Sequence, residues 1–140
     1  MKILLYLGII LMFASCSSNE SESAASNESS VYVNGREVST IKIGNLEVMT
    51  VDLEEVIEMN WDDAMKACAD LGGGWRLPTK DELNILYENK DKIGGFANEY
   101  YWSSTESDNN YAWFQDLEYG SQHVNLFKVS TGYVRAVRAF

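Results

Sequence analysis

The chain has 140 residues, of which 46% are hydrophobic, 12% aromatic and 23% charged; this fits one small folded domain and excludes a disordered chain. Acids outnumber bases 21 to 11, a formal net charge of -10, which argues against nucleic acid or any other polyanion as the main partner. One His, one Pro and two Cys leave little material for metal or nucleophile chemistry.

The first residues read as an address. Lys2 is a minimal basic region, and Ile3 to Ala14 is an unbroken run of twelve apolar or Gly residues. That length suits a signal-peptide core and is too short to span the ~30 Å bilayer interior as a helix. The run ends in Phe13-Ala14-Ser15-Cys16. This resembles the bacterial lipobox, which makes Cys16 the lipidation site and 1–16 a lipoprotein signal peptide. The competing reading is an ordinary signal peptide cut at Ser15. Residues 17–30 hold seven Ser, three Glu, two Asn and two Ala, and nothing there can bury a core. They read as a disordered tether holding the domain roughly 20 Å from a membrane. The folded domain is then 31–140, in the bacterial cell envelope, lipid-anchored at the outer membrane.

Two hairpins open the domain. Val31-Tyr32-Val33 and Arg36-Glu37-Val38 flank Asn34-Gly35, a strong two-residue turn signal because both positions must take positive φ. Ile41-Lys42-Ile43 and Leu46 to Met49 flank Gly44-Asn45 in the same way. A helix follows, with Asn60 as N-cap, Asp62 and Asp63 in the first turn, and an apolar stripe of Trp61, Ala64, Met65, Cys68 and Leu71. Gly72-Gly73-Gly74 stops it. A second helix starts at the Thr79–Glu82 capping box, buries Leu83, Leu86 and Tyr87, and ends at Gly94-Gly95. Four runs then alternate with polar turns: Tyr100 to Ser104, Tyr111 to Leu117, Gln122 to Val129 and Tyr133 to Ala139. They predict an antiparallel meander, and the whole an α+β domain with two helices packed on one antiparallel sheet.

Four blocks carry a family resemblance. They are Leu71 to Thr79 with Asp81-Glu82-Leu83, Tyr101-Trp102-Ser103-Ser104-Thr105, Ala112-Trp113, and Tyr133-Val134-Arg135-Ala136-Val137-Arg138. Together they resemble the domain of unknown function at the C-terminus of bacterial collagen-like adhesins. Ile43 to Met49 and Asp52-Leu53 are similar to the opening of the Fibrobacter major paralogous domain. The resemblance implies a C-type-lectin-like fold related to the formylglycine-generating enzymes, in exported proteins, often lipoproteins, that bind ligands or other proteins in adhesion. The family pattern usually has Pro where Ala136 stands.

Read as chemistry, most motif residues point to structure. Trp75 and Trp102 are large apolar groups expected in the core. Arg76 and Arg135 are guanidinium forks expected to tie carbonyls or carboxylates together. Arg135 and Arg138, three apart, face opposite ways on a regular strand. His123 and Cys68 offer a thin Cys–His pair, and Cys68 falls on a buried helical stripe. The formylglycine-generating activity implied by the resemblance needs two cysteines, which a lipidated Cys16 would not leave. Glu106, Asp108, Asn109 and Asn110 gather oxygen ligands, but their spacing misses the EF-hand template, so a polar turn is the better reading.

What remains is a binding surface without metal, cofactor or catalysis. Asp108, Asn109, Asn110, Tyr111, Trp113, Gln115, Tyr119, Gln122, His123 and Asn125 combine amide, phenol and indole groups suited to a glycan or a protein. The expected partners are that unidentified ligand and the membrane through the lipid anchor, with no nucleic acid. The alternatives are an assembly subunit of an envelope complex and, more weakly, an enzyme.

Overall fold

The computed structural model describes residues 28–53 and 58–140. Cys16, the expected signal peptide and the expected tether up to residue 27 lie outside the described residues. The order is β1 (Glu28–Val33), β2 (Arg36–Ile43), β3 (Leu46–Met49), α1 (Trp61–Asp70), α2 (Lys80–Glu88), α3 (Lys90–Ile93), β4 (Tyr100–Glu106), β5 (Tyr111–Asp116), β6 (Gln122–Phe127) and β7 (Val137–Ala139). The strands form two sheets, β1-β2-β3-β7 and β4-β5-β6, and every pair of strands is antiparallel.

Local chemistry sets most boundaries. Asn34 and Gly35 take φ of 50° and 80°, closing a two-residue turn between β1 and β2. β2 then runs unbroken through both expected hairpins, so three strands share one central member. β1 begins at Glu28, three residues inside the Ser-rich stretch, where Ser29 bonds Thr40 and Glu47. The Asn60 side chain accepts the Asp63 N–H at the head of α1. The Thr79–Glu82 capping box is complete, and Glu82 also takes a bidentate pair from Arg76 at 2.7 and 2.8 Å. The second helix breaks at Asn89 and resumes as the single turn α3 before Gly94.

The expected C-type-lectin-like arrangement, two helices packed on one antiparallel sheet, is not what forms. The strands divide into two sheets, there are three short helices, and α1 and α2 serve different cores. Trp61, Ala64 and Cys68 of α1 pack with Trp75, Trp102, Phe114, Val38 and Met49. Leu83 and Leu86 of α2 pack with Ile41, Ile43, Val48, Tyr101, Leu117 and Val137. Neighbours Tyr101 and Trp102 point to opposite faces of β4, so each face of that strand feeds one core.

The last run accounts for the difference. Only Val137–Ala139 is a strand, and it pairs with β3 rather than with β6. Alternation along a chain reports which face is buried, and it does not report the neighbour. The departure starts at Gly132, where a Cβ would sit 2.9 Å from the Trp102 indole nitrogen. From there the chain threads between the sheets: Tyr133 exchanges backbone bonds with Tyr100 and Trp102, Val134 accepts from Leu53, Ala136 from Met49, and Val137 exchanges both bonds with Arg76.

Arg135, wholly buried, pins this crossing. Its guanidinium donates to Asp52 Oδ1 at 2.8 Å, to the Met49 and Gly94 carbonyls at 3.0 Å and to the Gly95 carbonyl at 2.6 Å, and stacks on Phe96 at 3.8 Å. Tyr101 completes the network by donating to Asp52 Oδ2 at 2.7 Å. Burial, then the Asp52 carboxylate, pushes the Tyr101 phenol well above its usual range, so it stays a donor. Arg138 serves a separate cluster, bonding Glu47 at 2.8 Å over Trp75. Burial opposes ionisation of Glu47, but bonds from Arg138, Thr40 and Ser29 outweigh it and hold the carboxyl below its usual range.

Candidate functional site

The ten residues expected to form one binding surface are divided by the sheet. Gln115 is fully buried: its amide donates to Asn84 at 3.0 Å and to the Gly120 carbonyl at 3.1 Å, and its oxygen accepts from Gln122 at 3.2 Å. Gln122 also donates to the Lys80 carbonyl at 2.7 Å. These two glutamines join β5 and β6 to α2 and are structural. His123 is exposed, bonds Ser121 at 2.9 Å, and lies beside Phe114 on the opposite face. Tyr119 is exposed in the β5–β6 turn, away from the other rings. Asp108 caps the β4–β5 turn by accepting the Asn110 and Tyr111 N–H groups at 2.7 and 2.9 Å.

Tyr111 and Trp113 lie on one face of β5, with Asn109 and Asn110 in the turn before Tyr111 and Asn125 on β6. Tyr111 pairs with Phe127 across the β5–β6 ladder, their rings 4.4 Å apart and tilted by 33°. Phe127 is 50% exposed and Tyr111 half-buried. Trp113, two residues along β5, shares their face. The α2 helix covers the Gln115 end of this face and begins at Lys80, so the Tyr111 end is open.

Register breaks on both sides of Trp113. Between Trp102–Phe114 and Glu106–Ala112 the β4 strand spends two extra residues, and between Ala112–Leu126 and Phe114–His123 the β6 strand spends one. Both bulges lie opposite Trp113, in the pattern by which sheets re-aim side chains at functional sites. Ser103 fixes the first by donating to the Trp113 carbonyl at 2.7 Å. The Lys80 ammonium sits 3.9 Å over the Trp113 ring, and its backbone is held by Thr105 on β4 and Gln122 on β6. The Trp61 and Trp102 indoles donate to the Ser103 and Met59 carbonyls, whereas the Trp75 and Trp113 indole N–H groups have no hydrogen-bond partner among the described residues.

Phe127 and Lys80 carry little signal in the sequence. Phe127 looks like one more alternating strand residue and Lys80 like the first residue of a helix. The odd spacing of polar residues over Gln122 to Phe127, which breaks strict alternation, is the one hint of the bulge.

The other candidates resolve differently. Cys68 is fully buried, and burial pushes its thiol up to about 12, so it carries no thiolate at neutral pH. Among the described residues no group of three or more His, Cys, Asp or Glu is placed to hold a metal ion. A pocket of about 310 Å3 near Lys90, Gly94 and Phe96 is lined by groups already engaged inside: Lys90 donates to the Leu117 carbonyl and Gly94 accepts from Arg135. Among the described residues no helix is long and apolar enough to cross a membrane.

No curated protein matches the chain. The model of the Lcl C-terminal domain family matches residues 36–138, from the start of β2 into β7 and well over half the chain. The match takes in every block that carried the motif resemblance, together with both cores and the open face around Trp113. The chain belongs to the Lcl C-terminal domain family.

Proposed function

We propose that the protein is a lipid-anchored binding module of the bacterial cell envelope, at the outer membrane, which holds a glycan or a protein and does not turn it over. One observation carries this reading: two bulges converge on Trp113 beside the half-exposed Tyr111–Phe127 pair, and the Trp113 indole N–H makes no hydrogen bond to the described residues. Gln115 and Gln122, by contrast, spend their amides inside the fold. The aromatic groups supply contact area at low entropy cost.

Anchoring and binding are tested separately. Cys16→Ser should release the protein from the membrane fraction and abolish acyl labelling; a variant that stays membrane-bound and labelled contradicts the anchor. The full-length chain, applied to a glycan array and to purified envelope and extracellular-matrix proteins, should retain at least one ligand class, and Trp113→Ala should lose it. Retention by Trp113→Ala moves the site elsewhere.

A further inference from the structure

β1 stands apart from the rest of its sheet. The family match begins at residue 36, the first residue of β2, so β1 lies outside the part of the chain that the family shares. It occupies the edge of the order β1-β2-β3-β7 and, among the described residues, pairs with β2 alone. None of its six residues is buried, whereas all four of β3 are. Val31 and Val33 reach the Trp61 core only as half-buried side chains, and a pocket of about 280 Å3 opens between Val33, Asn34, Leu53, Ala67 and Leu71. The turn end of the hairpin is therefore loosely seated.

A polar chain ties β1 to the interior. Ser29 meets the Thr40 hydroxyl at 2.7 Å and donates to Glu47 at 3.2 Å; Thr40 donates to the same carboxylate oxygen at 2.7 Å and Arg138 to the other at 2.8 Å. The chain crosses all four strands of the sheet. Its inner part is complete without Ser29. Glu47 keeps Thr40 and Arg138 when β1 leaves, so no buried charge is stranded.

The register gives the release a direction. Glu28 pairs with Ile41 and Val33 with Arg36, so the N-terminal end of β1 is the end farthest from the Asn34-Gly35 turn. Tension that enters at Glu28 loads one cross-strand pair at a time, beginning beside Ser29. We infer that β1 is a releasable strand: it peels from β2 toward the turn while β2 to β7 stay folded, and it lengthens the link to the N-terminal segment by about 20 Å of chain. Its place as the element that takes the load rests on the reading of Cys16 as the anchor.

The test uses the full-length chain in detergent, without ligand. In native-state hydrogen exchange the amides that join β1 to β2 should open as one unit, at least about tenfold more often than those that join β2 to β3. Ser29→Ala should raise β1–β2 exchange about fivefold and leave β2–β3 exchange within about twofold. Pulled between its N-terminus and a handle at residue 66 of α1, supplied by Lys66→Cys, the chain should lengthen by about 20 Å in a first step, before the domain unfolds. Exchange of the β1–β2 amides in step with the β2–β3 amides, a Ser29→Ala effect equal on both sets, or a single unfolding step overturns the inference. None of these readouts involves the Trp113 face, so their failure leaves the binding reading standing; Cys16→Ser that stays membrane-bound removes the load from β1 without changing them.

Discussion

Along the α2 side of the three-stranded sheet, Gln115 and Gln122 lie at one end and Tyr111, Trp113 and Phe127 at the other. The first end is closed: both amides are consumed by Asn84, Gly120, Lys80 and each other. The second end is built from similar residue types, yet its indole N–H and asparagine amides have no hydrogen-bond partner among the described residues. The difference is where the helix starts. Lys80 begins α2 between the two ends, held by Thr105 and Gln122, so the helix covers one half and its first side chain stacks at the border of the other. Composition alone marks a polar aromatic strand; the position of one helix cap decides which half holds the fold and which is free for a ligand.

The contrast can be broken most forcefully in the interior. Arg135→Met should strand the Asp52 carboxylate and the carbonyls of Met49, Gly94 and Gly95, costing about 3–5 kcal/mol. Trp75→Ala should cost about 3–5 kcal/mol through its cavity. Against a total stability of roughly 5–15 kcal/mol, urea unfolding should show either variant partly or wholly unfolded. An unchanged midpoint would remove Arg135 or Trp75 from the core.

Smaller effects separate the two halves. Gln115→Leu leaves Asn84, Gly120 and Gln122 short of a partner and should cost about 1–3 kcal/mol. Thr79→Ala opens the capping box and should cost about 1 kcal/mol. Acid acts at the same cap. The Arg76 hydrogen bonds hold Glu82 below the ordinary value of 4.5, against the opposing effect of burial. Its stabilisation is therefore present above that value and lost as pH falls through the lower folded pKa. The loss should be blunted in Arg76→Gln, as acid titration of the melting temperature would report. Phe127→Ala, at a half-exposed site, should change stability by less than about 0.5 kcal/mol; a larger drop would make Phe127 a core residue.

The local signals in the sequence were legible because their physics is local. The Asn34-Gly35 turn, the Asn60 cap and the Thr79–Glu82 box each depend on residues within three or four positions. Burial of Trp75 and Trp102, at 6% and 0% exposure, and the tying role of Arg76 and Arg135 followed from side-chain character. The sheet partition was not legible, since β7 joins β3 across more than eighty residues and alternation is indifferent to which strand lies alongside. The candidate face was legible only in part. Tyr111 and Trp113 could be named from type, but the loss of Gln115 and Gln122 to the interior and the gain of Phe127 and Lys80 depend on register and on where α2 crosses the sheet.

The most direct test is hydrogen exchange at the indole N–H groups of Trp61, Trp102 and Trp113. Trp61 and Trp102 donate to backbone carbonyls at 2.8 Å and are buried, so their indole protons should exchange slowly with solvent. The Trp113 proton, without a partner on an open face, should exchange fast in the free protein. Protection of Trp113 comparable to that of Trp61 and Trp102 would mean that the fold uses the open half of the sheet as fully as the closed half, and would contradict the account.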